Sequence, residues 1–252
     1  MDILKDEDIK LKGVLFDFNG VLLPDSELQE MTWKKLSYKI KGIDYNIKYL
    51  RNVIHGRGTT DLIKLLIDSN IKDGDIQNIM NLKEEMYREL CLSNKELFKL
   101  TPGAIELFER LEFYNIPFTI ASSASEADMR FYFEHLNLNK WFNWNKIAYF
   151  DGKVKTKPAP DLYILGAKKL NLDPTECCVI EDAVAGMQAA KNANAGFIVA
   201  VSIERELPAE AKDLANIVIY SLDELNDDFI KEYFGIKEMV DFPLYYIAGI
   251  GY

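Results

Sequence analysis

Apolar and polar positions follow two rhythms along this chain. Residues 12–17 hold the continuous apolar run Gly13-Val14-Leu15-Phe16, closed by the carboxylate of Asp17, which is the pattern of a buried strand. From Ser26 to about Asn94 the period becomes helical. Leu62, Leu65 and Leu66 mark one apolar face and Leu82, Met86 and Leu90 another. Between these faces His55-Gly56-Arg57-Gly58-Thr59-Thr60-Asp61 reads as a loop entering a helix, with Thr60 or Asp61 as N-cap. After Thr101-Pro102-Gly103 the rhythm changes again. A helix over Ala104–Tyr114 leads to the apolar strand Pro117–Ala121, to Ser122-Ser123-Ala124-Ser125, and to a helix ending near Leu138. A turn at Asp151-Gly152, a loop over Lys155–Pro160 and a helix from Asp161 to Leu170 follow. The strand Cys177–Ile180 ends in Glu181-Asp182 and runs into a small-residue helix, Ala183–Ala193. Phe197–Val201 and Ile217–Tyr220 complete the strands.

Strands that alternate with helices of ten or more residues predict βαβ units and a parallel sheet. The expected fold is α/β, a three-layer Rossmann-like parallel sheet core with an inserted α-helical cap domain. Residues 1–23 should belong to the core, residues 24–95 to the cap lying over the ligand rim, and residues 96–252 to the rest of the core. The tail from about Asn226 has no assignment. Within it Phe242-Pro243-Leu244-Tyr245-Tyr246-Ile247 is too apolar for a solvated linker, so it should pack on the core or make a subunit contact.

Composition narrows the partners. At 252 residues, 48% hydrophobic and 28% charged, the chain has the balance of a globular protein. Its formal charge of −10 argues against nucleic acid or an anionic membrane as the main partner. An anionic substrate would need local positive charge, from a metal ion or a placed lysine. The acidic start, Met1 to Asp8, has no apolar core of a signal peptide, and no apolar run approaches membrane-spanning length. Cys91, Cys177 and Cys178 form neither a disulfide framework nor a metal spacing, so a reducing cytoplasm is expected.

Candidate chemistry gathers at strand ends. Asn19-Gly20 between hydrophobics is also a hairpin signal, which would make Asp17 an ordinary strand residue. Against that reading, the strand endings Asp17, Ser122 and Glu181-Asp182 are polar, and parallel sheets bind ligands beyond their carboxyl ends where strand order reverses. Each residue has a plainer role too. Asp182 and Asp161 suit helix N-caps, Lys157 alone would be a solvated loop lysine, and Ser123 and Ser125 compete with Ser122. His55 and His135 read as surface or packing residues, and Trp33, Trp141 and Trp144 as core or rim aromatics.

Four motifs occur together and in order. They are Asp17-Phe18-Asn19-Gly20-Val21-Leu22 with Asp25-Ser26-Glu27, then Ser122, then Lys157-Pro158-Ala159-Pro160-Asp161, then Glu181-Asp182. In these the chain resembles the haloacid dehalogenase superfamily of phosphotransferases, in the helical-cap branch that includes β-phosphoglucomutase and small sugar phosphatases. The resemblance spans nearly all of residues 12–225. It implies that Asp17 is a nucleophile forming an aspartyl-phosphate. It also implies a Mg²⁺ held by Asp17, Asp182 and the Asn19 carbonyl, with Glu181 as a direct or water-mediated ligand. Lys157, the Ser122 hydroxyl and nearby backbone N–H groups, including those around Gly20 and Ser123, would hold the phosphate oxygens.

One position departs from the family pattern. Phosphatases and mutases of this kind usually carry a second Asp where this chain has Asn19, and that Asp relays protons. An amide can offer its backbone carbonyl and hydrogen-bond, but it cannot relay a proton, and acid–base catalysis is worth about 10²–10⁴-fold. A slow enzyme is expected, or one that stalls as the phosphoenzyme. Asn19 would then be an engineered change, a natural loss of activity, or an Asn-Gly site that deamidates. In the cap, Arg57 is the candidate ligand-facing residue, balanced against a plain exposed arginine. The histidine that the mutase carries near Glu30 and Met31 is unmatched, which favours a phosphatase. The expected function is Mg²⁺-dependent hydrolysis of a small phosphorylated metabolite, a sugar or polyol phosphate, by a monomer or homodimer. The rivals are a phosphomutase and a catalytically silent phospho-ligand binder.

Overall fold

Gly13–Phe16 (β1) is buried along its whole length, and both of its neighbours in the sheet run parallel to it. That arrangement rules out the hairpin reading of Asn19-Gly20. Gly20 does take a positive φ of 84°, but the turn leads on to helix rather than to an antiparallel strand. The computed structural model describes residues 11–55, 57–203 and 207–236. After β1 come four helices, Ser26–Lys41 (α1), Ile47–Ile54 (α2), Thr59–Leu66 (α3) and Asp73–Ser93 (α4). Then follow Ala104–Phe113 (α5), Phe118–Ser125 (β2), Glu126–His135 (α6), Ala148–Phe150 (β3) and Asp161–Lys169 (α7). Cys177–Glu181 (β4), Val184–Asn192 (α8), Phe197–Val201 (β5), Ala209–Leu214 (α9), Ile217–Ile219 (β6) and Asp227–Phe234 (α10) close the series.

The strands form one parallel sheet in the order β3-β2-β1-β4-β5-β6. The order reverses beside β1, which lies between β2 and β4. Successive side chains of a strand point to opposite faces, so β1 faces two cores. Leu15 points into a cluster with Tyr163 and Ala167 of α7, Met187 and Ala190 of α8, and Ala211 of α9. Phe16 points the other way, with its ring centroid 5.6 Å from Phe108 of α5, 6.1 Å from Phe118 and 6.5 Å from Phe142. Helices thus cover both faces, giving three layers. Complete burial of a Leu or Phe side chain is worth about 1.5–3 kcal/mol, and Leu15, Phe16 and Phe108 are all fully buried.

Several elements escape the apolar pattern. β3 spans three residues, too short for periodicity to show. It extends β2 past its apolar part, pairing Ala121 with Ala148 and Ser125 with Phe150 across an irregularity in register. α9 and α10 were likewise not expected. α10 is capped by Asn226, whose side chain accepts from the Asp228 and Phe229 N–H groups, and its Phe229 and Tyr233 pack 6.0 and 4.5 Å from Phe197. It accounts for the first part of the unassigned tail, whereas Phe242–Ile247 lies outside the described residues.

The chain divides into two compact units, Met1–Leu22 with Leu100–Tyr252, and Leu23–Lys99. In the first unit the two chain ends at the division are tied together. Thr101 N–H donates to the Leu22 carbonyl at 2.9 Å and its hydroxyl to Val21 at 2.6 Å. The second unit is helical and packs Trp33, Leu36, Leu50, Ile54, Leu62, Ile63 and Leu66 into its own core. Leu65, expected on the buried face of α3, is 49% exposed, and Ile63 is buried instead. The N-cap of α3 is Gly58, ahead of the Thr60 and Asp61 expected there. Glu30 of α1 is buried and accepts hydrogen bonds from Arg51 of α2 at 2.9 and 3.0 Å, with His55 Nε2 at 3.2 Å. Among the described residues no helix is long and apolar enough to cross a membrane.

Candidate active site

The register of the sheet brings the acidic strand ends together. β1 and β4 are neighbours at the reversal of strand order, and Asp17 N–H donates to the Ile180 carbonyl at 3.0 Å. Oxygen atoms of Asp17, Glu181 and Asp182 lie within 4.8 Å of one another. Lys157, 140 residues from Asp17 in sequence, arrives from the loop before α7. Its Nζ is hydrogen-bonded to Asp17 Oδ1 and lies 2.6 Å from Glu181 Oε1.

Glu181 is fully engaged. Its Oε1 accepts from Lys157 and from the Tyr163 hydroxyl at 3.0 Å, and its Oε2 accepts from Ala183 N–H at 2.9 Å. The Lys157 ammonium also stands 4.7 Å from the centre of the Tyr163 ring. Two glycines make room for the acids. A Cβ on Gly186 would meet Glu181 Oε1 at 1.6 Å, and one on Gly20 would meet Asp182 Oδ2 at 2.3 Å. Neither Tyr163 nor Gly186 was singled out by sequence. A tyrosine at an apolar helix position and a glycine among alanines carry no signal of their own, and only their short distances from Glu181-Asp182 and Lys157 could have pointed to them.

Electrostatics follow from crowding. Burial pushes the Asp17 carboxyl up to about 7, against the pull of Lys157 and with the charge of Glu181 adding to the rise. Burial alone would pull the Lys157 ammonium down, but the two carboxylates beside it hold it above the ordinary lysine range. Among the described residues these three carboxylates gather beside the Lys157 ammonium, and a further cation bound to the cluster would offset their charge as an anionic substrate approached. The cluster's donors are hard oxygens in close array, a set that fits Mg²⁺.

The other expected residues fall as follows. Ser122 is buried, and its Oγ accepts from Ala124 N–H at 3.1 Å. Ser123 is exposed, and Ser125 caps α6 by accepting from Asp128 N–H. Burial therefore separates the three serines. Asn19 is half-buried, with its Nδ2 3.4 Å from the Tyr132 hydroxyl. Tyr132 in turn stacks on Phe18 at 4.8 Å. The N-cap of α8 is Ala183 rather than Asp182, and that of α7 is Pro160 rather than Asp161. Asp161 is instead the first residue of α7, and its carboxylate accepts from Lys155 N–H at 3.4 Å. Arg57 is exposed in the helical unit, and its Nη1 donates to the Val53 carbonyl near the end of α2 at 2.8 Å. His135 packs on Phe131, Trp144 stacks on Tyr149, and Trp33 lies in the helical unit's core.

Comparison with known proteins gives the family of the chain. A family model described as a haloacid dehalogenase-like hydrolase matches residues 11–194. A solved HAD hydrolase of family IA, variant 3, from Entamoeba histolytica is 31% identical with a TM-score of 0.80, covering 90% of this chain and all of that one. The fructose-1-phosphate phosphatase of Escherichia coli is 26% identical over 72% of this chain and 92% of its own length. The β-phosphoglucomutase of Bacillus subtilis is 28% identical over 81% of this chain and 88% of its own.

Proposed function

The chain belongs to the haloacid dehalogenase-like hydrolases, and on that premise we propose that it hydrolyses a small phosphomonoester, a sugar or polyol phosphate, through a phosphoenzyme on Asp17. The observation that carries the proposal is the meeting of Asp17, Lys157, Glu181 and Asp182 at the reversal of strand order. The relatives' activities on fructose 1-phosphate and phosphoglucose support the substrate class.

In this reading Asp17 Oδ attacks phosphorus, the bond to the leaving alkoxide breaks, and water then hydrolyses the aspartyl-phosphate. Lys157, charged through its two carboxylate neighbours, balances negative charge on the transferring group. The buried Ser122 hydroxyl, whose oxygen accepts from Ala124 N–H, would donate its own proton to a phosphate oxygen. Asp17, Asp182 and the Asn19 carbonyl would hold Mg²⁺, with Glu181 a direct or water-mediated ligand. Bound there, the ion supplies the positive charge that lets an anionic carboxylate approach an anionic phosphate. Asn19 relays no proton, so the leaving alkoxide departs unassisted at that position and turnover is slow.

That same residue favours a second reading, a phospho-ligand binder without turnover, because its amide donates to Tyr132 where a proton relay would be needed. Phosphate release from a panel of sugar phosphates with Mg²⁺, by this chain and by Asn19→Asp, separates the two. A rise on the order of 10²-fold or more in the variant supports a phosphatase lacking its proton relay. No release from either form, with Mg²⁺ binding intact, overturns the hydrolase reading in favour of the binder.

A further inference from the structure

We infer that Tyr163 is a positioning residue for the candidate site, its hydroxyl fixing Glu181 and its ring face seating the Lys157 ammonium. Tyr163 is fully buried on α7, six residues after Lys157, so the lysine and the ring that meets it belong to one short stretch of chain. Three contacts converge on it. The hydroxyl donates to Glu181 Oε1 at 3.0 Å. The ring centre stands 4.7 Å from Lys157 Nζ. The ring itself is part of the core cluster with Leu15, Ala121 and Met187, which holds its plane in place.

Each contact does separate work. Lys157 and Tyr163 both reach Glu181 Oε1, while Oε2 is taken by Ala183 N–H and the space beneath is cleared by Gly186. Without the hydroxyl, Glu181 keeps its charge partner but loses a directional donor, and its carboxylate can turn. The ring acts on the lysine. A buried ammonium over an aromatic face gains a cation–π attraction, and that face blocks one side of the long side chain. The ammonium is then left to point at Asp17 and Glu181. Partners that orient a metal-binding carboxylate typically change metal affinity or activity by about 10–100-fold when removed.

The inference rests on the proposed function for its Mg²⁺ and turnover arms but not for its NMR arm, and Tyr163→Phe and Tyr163→Leu test its two halves. Tyr163→Phe keeps the ring and should bind Mg²⁺ about 10-fold more weakly by calorimetry without substrate, with its thermal unfolding little changed. In NMR spectra the Lys157 ε-methylene signal, identified by its loss in Lys157→Arg, should lie upfield through the ring current of Tyr163. It should stay upfield in Tyr163→Phe and return to the ordinary lysine position in Tyr163→Leu, whose turnover should fall about 10–100-fold. An ordinary Lys157 shift in the unsubstituted chain overturns the ring's part. Unchanged Mg²⁺ affinity in Tyr163→Phe, or no Mg²⁺ binding by the unsubstituted chain, overturns the hydroxyl's part. Should Tyr163→Leu fail to fold, the unsubstituted chain and Tyr163→Phe still decide both halves. If no phosphomonoester is turned over while the NMR and calorimetric results are as expected, the hydrolase reading fails and the positioning role stands.

Discussion

Two glycines show how much of the site depends on absent atoms. Gly186 leaves the volume that the Glu181 carboxylate fills, and Gly20 leaves that of Asp182. Gly186→Ala and Gly20→Ala should each weaken Mg²⁺ binding by about 10-fold or more, because the new methyl displaces an acid. Gly20 also has a φ of 84°, where a side chain costs about 1–2 kcal/mol. Gly152 separates the two effects, with a φ of 81° and nothing within 4 Å of an added Cβ. Gly152→Ala should therefore lose comparable stability in thermal unfolding and keep its Mg²⁺ affinity. If calorimetry shows the same loss of affinity in Gly152→Ala as in Gly20→Ala, backbone strain rather than crowding governs the site. At this scale Asp17, Lys157, Glu181 and Asp182 were legible as strand-end and loop polar residues. Ser122 was preferred because it directly follows the apolar strand, and its burial, which sequence order does not report, sets it apart from Ser123 and Ser125.

Between helices, the Glu30 cluster fastens α1 to α2. Burial pushes the Glu30 carboxyl up, but hydrogen bonds from Arg51 and His55 prevail and hold it below its ordinary value of 4.5. A carboxylate lowered on folding contributes stability above its unfolded pKa and loses it as pH falls through the lower folded value. Glu30→Gln keeps the shape and drops the charge. It should melt a few degrees below the unsubstituted chain at pH 7, and the two melting curves should draw together near pH 3. An equal gap at both pH values would mean that packing, not the ion pair, joins these helices. The clamp was not legible, since Glu30, Arg51 and His55 lie up to 25 positions apart with no shared motif. The helices were legible from their period, but which face is buried was not fully so, as the exchange of Leu65 for Ile63 shows. In a helix as short as α3 several stripes are equally apolar, and the neighbouring helices select one.

For the whole molecule, the two units make a test of autonomy. Thr101 holds the ends of the sheet-containing unit together through Leu22 and Val21, so replacing residues 23–99 by a short Gly/Ser linker closes a gap already bridged by hydrogen bonds. The shortened chain should keep a cooperative melting transition by circular dichroism, whereas a broad, non-cooperative melt would show that this unit needs the helical one to fold. The sequence by itself determined the α/β class, the parallel sheet and the family, because apolar runs and helical periods are local and the four motifs stand in order along the chain. The acids stood out in it as polar ends of apolar strands, whereas Lys157, alone an ordinary loop lysine, stood out only through its place in the order of the four motifs. Only the tertiary structure decided that β1 lies beside β4, that Lys157 crosses 140 residues to reach Asp17, and that Tyr163 and Gly186 shape the seat of Glu181. A tyrosine and a glycine at apolar helix positions look like ordinary core in one dimension. Their roles arise from which neighbour the crossover connections bring within about 3 Å, the range over which a hydrogen bond or a missing methyl acts.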